Sequence, residues 1–277
     1  MDPKLLLCHV AVGRDVAAVR EYATAHRYAG VEWGLDNLRV AVARDRRQRT
    51  LDGFRSVGGL VSLHAPYTDL ELGHRDAEYA AAALRVLKEY VDVTAELPAH
   101  HLNLHVGSHG LAPEECAWDT LLRNLTALLD YAARRGVLLT VENLRIGLTS
   151  DPETFARLLR TTGAPACFDI GHAHGSDWVK LGRGSVVDVF RLIPTRIAAA
   201  HVYYTEIGDA HHPPGEVGDL AAALDALAET GCDWWVVELH TRESLEQTRR
   251  VLDQYLAGRR PSVAAGSAGS GGTHATS

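Results

Sequence analysis

Thiol chemistry is the first thing this sequence withholds. Its four cysteines, Cys8, Cys116, Cys167 and Cys232, stand far apart and form no Cys-x-x-Cys pair. That spacing argues against a thiolate metal site and a disulfide framework, and leaves them as small apolar residues of a reducing compartment. No apolar run approaches the roughly 18 residues of a membrane span. The N-terminal MDPKLLLCHVAVG holds too short a run for a secretion signal. The expectation is a cytoplasmic protein with no membrane partner. A basic balance is missing too: the formal net charge is −7, which disfavours DNA or other extended nucleic acid as a partner. Also absent is a Gly-x-Gly-x-x-Gly fingerprint after the first apolar run, the phosphate loop expected of a doubly wound open sheet.

What the chain has instead is histidine, 15 residues of 277, set within a regular alternation. Short runs rich in Val, Ile, Leu and Ala recur as LLLCHV, GVEW, LVSLH, HLNLHV, VLLTVE, ACFDI, IAAAHVYY and WWVVEL. Segments with apolar residues at helical spacing, such as AEYAAAALRVLKEYVDVTAE and WDTLLRNLTALLDYAARRG, separate most of them. Eight buried strands alternating with helices predict right-handed βαβ units closed into a (β/α)₈ TIM barrel, with a doubly wound sheet as the alternative. The barrel is expected over residues 1–258 as one domain. Residues 259–277, rich in Gly, Ser and Ala, cannot bury enough apolar area to offset their ordering entropy and are expected to be disordered.

Each run brings an imidazole or a carboxylate to its end: His9, Glu32, His64, His105, Glu142, Asp169, His201 and Glu238. In a barrel these ends converge on one mouth, where active sites of the fold sit. One such residue is readily explained as a hydrogen-bonded structural group. Eight at successive strands would be costly to bury without a cation, and His with carboxylate and no thiolate suits Zn²⁺, Mn²⁺, Fe²⁺ or Co²⁺. The segment GDAHHPPGEVG at 208–218 follows the seventh run. Its prolines and glycines predict a stiffened non-repetitive loop over the same mouth, bringing Asp209 and His211 down as further ligands. His172, in DIGH, adds one more.

These motifs resemble the xylose-isomerase-like TIM barrels, and among them most of all the endonuclease IV group of zinc phosphodiesterases, over residues 4–257. The similar segments are HAPY at 64–67, NLHVG at 103–107, VEN at 141–143, CFDIGH at 167–172, His201 with DAH at 209–211, and VVEL at 236–239. The resemblance implies nine ligands for two to three divalent ions, zinc first: His64, His105, Glu142, Asp169, His172, His201, Asp209, His211 and Glu238. It also implies that Tyr67 lines the site. Sugar isomerases and epimerases of the same superfamily resemble the chain at Glu142, Asp169, His201 and Glu238 only, around one metal. Val202-Tyr203 stands where the repair enzymes carry Asn-Asp, and TDLELG follows HAPY in place of an Asn-containing run. WGLDNLRVAVARDRRQR does not resemble their DNA-inserting loop, although Arg44, Arg46, Arg47 and Arg49 in it could touch phosphates.

The expected activity is therefore hydrolysis of a phosphoester in a small molecule rather than in DNA. A hydroxide bridging two metals would attack, with Glu142 and Glu238 as the catalytic bridging carboxylates. The alternative is a one-metal sugar or polyol isomerase in which the same two glutamates move a proton at carbon. Candidate contacts to a phosphorylated or sugar-like substrate are His9, Glu32, Tyr67, His109, Arg145, His174, Lys180, Arg183 and His212.

Overall fold

The computed structural model describes residues 2–38, 44–107 and 115–259. His109 and the stretch 260–277, where disorder is expected, lie outside them. In chain order the elements are β1 (Lys4–Cys8), α1 (Val16–Ala25), β2 (Gly30–Gly34), α2 (Leu35–Leu38), α3 (Arg44–Val57), β3 (Leu60–His64) and α4 (Ala77–Ala95). There follow β4 (Ala99–Leu104), α5 (Trp118–Arg134), β5 (Leu139–Glu142), α6 (Pro152–Thr162), β6 (Ala166–Asp169), α7 (Ile170–Gly175), α8 (Asp177–Lys180) and α9 (Val186–Leu192). The chain ends with β7 (Ile197–Val202), β8 (Thr205–Ile207), β9 (Ala210–His212), α10 (Gly218–Glu229), β10 (Trp234–Val237) and α11 (Arg242–Arg259).

Eight parallel strands close in the order β1-β10-β7-β6-β5-β4-β3-β2, with helices outside: the expected TIM barrel. Helix starts are written locally. Asp15, Asp76 and Asp151 each accept a backbone N–H from the first turn of α1, α4 and α6, and Pro152 takes the first position of α6, where its missing N–H is harmless. Within the strands, alternate residues separate two environments. Leu7, Val31, Trp33, Leu63, Leu102, Leu104, Val141, Phe168, Ala200 and Val237 join the large apolar cluster between sheet and helices. The opposite parity fills the barrel. Leu6, Cys8, Cys167, Ala199, Trp234 and Val236 form a small apolar cluster of their own. The rest of that parity is polar and buried: Glu32, Ser62, His64, His101, Asn103, Thr140, Glu142, Asp169 and His201.

The segment 208–218 departs from the expected non-repetitive loop. Its first part is the return arm of an antiparallel hairpin, with Glu206 opposite His211 and Ile207 opposite Ala210. Gly208 takes φ +62° in the two-residue turn, a conformation that favours glycine. No helix among the described residues is long and apolar enough to cross a membrane.

Candidate metal centre

The inward parity of the strands delivers its side chains at different heights, and the uppermost form a cavity of about 390 Å³ at the C-terminal mouth. Glu142, at the end of β5, is its hub. Oε2 lies 3.4 Å from His64 Nε2 and 3.3 Å from His105 Nε2, while Oε1 lies 3.3 Å from both His172 Nδ1 and His201 Nδ1. Asn103 donates to Oε2 and is itself fixed by Thr140, whose hydroxyl donates to Asn103 Oδ1 at 3.0 Å.

Among the described residues the potential ligand atoms fall into neighbouring groups, each with its atoms within 4.8 Å of one another: His64, His105 and Glu142; Glu142, Asp169, His201 and Glu238; and His172, Glu206 and His211. A further combination substitutes Cys167 for the two acids beside Glu142 and His201. The histidines are pre-oriented. His64 Nδ1 donates to the Ala65 carbonyl at 2.8 Å, His172 Nδ1 to the Asn143 carbonyl at 3.0 Å, and His211 Nδ1 to the Glu238 carbonyl at 3.0 Å. A carbonyl only accepts, so the proton sits on Nδ1 in each neutral ring and the Nε2 lone pair is left for an electrophile. Two of these Nε2 atoms bear on the other members of their groups: His64 Nε2 lies 3.1 Å from His105 Nε2, and His172 Nε2 lies 3.2 Å from Glu206 Oε2.

Electrostatics point the same way. Burial opposes charge on Glu142, but His201, His105 and His172 outweigh it and hold the carboxyl well below its usual range. Burial likewise opposes a charge on Glu238, and His201 brings it down to about 2. Burial opposes a proton on His64 as well, yet Glu142 lifts that ring to about 9, while burial pushes neighbouring His105 down to about 4. Glu142 Oε1, Asp169 Oδ2 and His201 Nδ1 are buried and make no hydrogen bond among the described residues. Three carboxylates and an imidazole converging with such atoms unsatisfied are a donor set that fits a divalent cation of the Zn²⁺, Mn²⁺, Fe²⁺ or Co²⁺ type.

The remaining sequence candidates separate clearly. Tyr67 is on the cavity wall, stacked on His105 with centroids 4.7 Å apart. Asp209 also borders the cavity but stands exposed at the hairpin turn and belongs to none of the ligand groups. The member found in its place is Glu206, buried one strand back, with Arg145 at 2.9 Å. Arg145 is thus committed to a protein carboxylate rather than presented to the cavity. His9 is buried, its Nδ1 donating to the Gly13 carbonyl at 2.9 Å, and is not a wall residue. His174 tilts against Tyr204, His212 belongs to β9, and Lys180 and Arg183 are exposed; none of these four borders the cavity. Glu32 reaches the cavity only as floor, 1% exposed and 2.9 Å from His201 Nε2. Of the Arg44, Arg46, Arg47 and Arg49 set, Arg47 pairs with Glu96.

Glu206, Asp36 and His240 on the wall were not anticipated. Glu206 had a signal: Gly-Asp between Thr-Glu-Ile and Ala-His-His is a two-residue hairpin turn, which sets Glu206 across from His211. The described wall carries six carboxylates, Glu32, Asp36, Glu142, Glu206, Asp209 and Glu238, and no Lys or Arg.

An uncharacterised protein of Methanocaldococcus jannaschii is 25% identical over 197 residues, 71% of this chain and 80% of that one. A D-tagatose 3-epimerase-like protein superimposes with TM-score 0.74 at 17% identity, covering 92% of this chain and 97% of its own. Endonuclease IV from Thermus thermophilus does so with TM-score 0.65 at 21% identity, covering 92% and 100%. At these identities the structural likeness shows the fold. The family profile described as xylose isomerase-like TIM barrel matches residues 20–256, nearly the whole described barrel, and the chain belongs to that family.

Proposed function

We propose that the chain hydrolyses a phosphoester of a small molecule at a multinuclear divalent-metal centre. The observation that carries this reading is the third ligand group, His172, Glu206 and His211, built beside the two that share Glu142. A one-metal site needs only Glu142, Asp169, His201 and Glu238, and leaves that group and the His64–His105 pair with no ion to hold and only substrate hydroxyls to bind. Bound divalent cations would supply Lewis acidity and offset phosphate charge. Glu142, Asp169, His201 and Glu238 would hold an inner cation, and Glu142 with His64 and His105 would hold another. Tyr67 would close the cavity beside His105, and Asp36 would hold the Tyr67 backbone through the N–H it accepts at 3.2 Å. The acidic wall supports a small substrate over DNA, since a polyanion would be repelled wherever no cation intervenes.

A second reading, isomerisation or epimerisation of a sugar or polyol, has its own support: the complete four-residue set, and a described wall without Lys or Arg, which suits a neutral polyhydroxy substrate. There Glu142 and Glu238 would move the proton at carbon. Elemental analysis of protein purified without chelators, followed by a phosphoester panel, separates the two. Two to three ions per chain, with hydrolysis nearly abolished in His211→Ala, supports the hydrolase. One ion per chain, or full phosphoesterase activity in His211→Ala, overturns it.

A further inference from the structure

Beneath the mouth, the barrel interior carries a buried polar layer that meets the proposed chemistry only at His201. Glu32 of β2, Ser62 of β3, His101 of β4 and His201 of β7 are each no more than 1% exposed. Glu32 Oε2 accepts from Ser62 Oγ at 2.9 Å and lies 3.5 Å from His101 Nε2. Ser62 Oγ accepts in turn from Trp234 Nε1 at 3.4 Å, and the two ring Nδ1 atoms of His100 and His101 lie 2.9 Å apart. Glu32 Oε1 faces His201 Nε2 at 2.9 Å. The two are in ion-pair contact, and neither atom makes a hydrogen bond among the described residues, so each has the other as its nearest charged neighbour on that side.

His201 is thus gripped from two sides. Its Nδ1 lies 2.9 Å from Glu238 Oε2, 3.3 Å from Glu142 Oε1 and 3.5 Å from Asp169 Oδ2, and its Nε2 meets a carboxylate anchored below. Where His64, His172 and His211 lean on backbone carbonyls through Nδ1 and offer Nε2, His201 is turned the other way, and a buried acid stands in for the carbonyl. A carboxylate accepts more strongly than a carbonyl, makes the imidazole a better donor to a cation, and fixes which nitrogen carries the proton. Burying an acid at this depth would be unfavourable without such a partner. Glu32 Oε2 accepts from Ser62 and Oε1 lies against His201 Nε2 beneath the mouth, so Glu32 is a poor substrate contact.

We infer that Glu32 is a positioning residue: braced by Ser62 and His101, it holds His201 with Nε2–H directed downward and Nδ1 presented to the ion shared with Glu142, Asp169 and Glu238. This rests on the metal reading above but not on the choice between hydrolase and isomerase, since the four-residue set is common to both.

The test is zinc affinity of the full chain, measured with Zn²⁺ alone against a chromophoric chelator, together with ¹⁵N NMR of the His201 ring. Glu32→Gln keeps the shape and removes the charge. It is expected to weaken the inner ion about 10–100-fold, the range for loss of such a partner, with the other ions unaffected. Glu32→Leu is expected to add a change in the ring's tautomer signature, and Ser62→Ala to give a smaller loss of affinity. Zinc binding in Glu32→Gln and Glu32→Leu equal to the parent protein overturns the inference. A parent protein that binds no Zn²⁺ overturns the metal reading itself. Where Glu32→Leu fails to fold, Glu32→Gln with Ser62→Ala decides the matter: unchanged affinity in both rejects the role.

Discussion

Replacing Glu206 with alanine tests whether the tertiary structure or the linear motif identifies the third ligand group. The Arg145–Glu206 pair is largely out of water, with side chains 16% and 7% exposed. Removing one partner from a buried pair costs about 3–5 kcal/mol, and the remaining exposure of Arg145 places this case near about 3 kcal/mol. For a chain of this size that lowers the metal-free Tm by about 6–12 °C. The second effect is on metal. An ion present at a hundredfold excess over its Kd stabilises the fold by about 2.7 kcal/mol, equivalent to about 5–11 °C. Glu206→Ala should lose that share of the zinc-induced rise, and elemental analysis should find one ion fewer per chain. Asp209→Asn alters an exposed side chain outside every ligand group. It should change stability by no more than about 0.5 kcal/mol and leave the zinc count intact. Calorimetry of each variant with and without Zn²⁺ reads both effects, and Glu206→Gln replaces the alanine variant if that one does not fold. Loss of an ion in Asp209→Asn with none lost in either Glu206 variant would refute the reasoning and restore Asp209 as the ligand.

Two further outcomes follow from the same geometry. A Cβ on Gly171 would sit 2.0–2.4 Å from the Tyr203 ring, which stacks on His211 with centroids 4.0 Å apart. Gly171→Ala should therefore cost about 1–3 kcal/mol in urea unfolding and weaken zinc at the His211 group; an unchanged zinc titration would show that the ring yields without moving His211. His100 is a separate probe of pH. Burial, then the neighbouring His101, pushes its pKa from 6.5 down to about 4. Between those values the unfolded chain binds the extra proton, so this residue's contribution is intact above pH 6.5 and is lost as pH falls towards 4, at no more than about 1.4 kcal/mol per pH unit. Metal-free His100→Gln should show a shallower acid loss over that window, offset by a pH-independent penalty for the lost stack on Trp234; an identical acid profile would contradict the assignment.

The barrel was legible in the chain because its causes are local. Apolar runs of strand length and helical periodicity between them are repeated so regularly that closure of eight units is the simplest solution. The mouth was legible for a related reason: strand polarity brings every run's last residue to one end, so His64, His105, Glu142, Asp169, His201 and Glu238 had to gather wherever the barrel closed. Depth and direction were not legible. His9 and Glu32 end their runs just as His64 does, yet one is tied to a turn carbonyl and the other lies under His201, because parity, register and the stagger of strands set how high each side chain stands. Nor could Asp209 and Glu206 be ranked by motif. Both are acids near His211 in sequence, and only the antiparallel pairing of β8 with β9 carries Glu206 inward and leaves Asp209 at the turn. Sequence determined which chemistry arrives at the mouth; the sheet's three-dimensional register decided which atoms meet there, because pairing across strands is a contact between residues far apart in the chain.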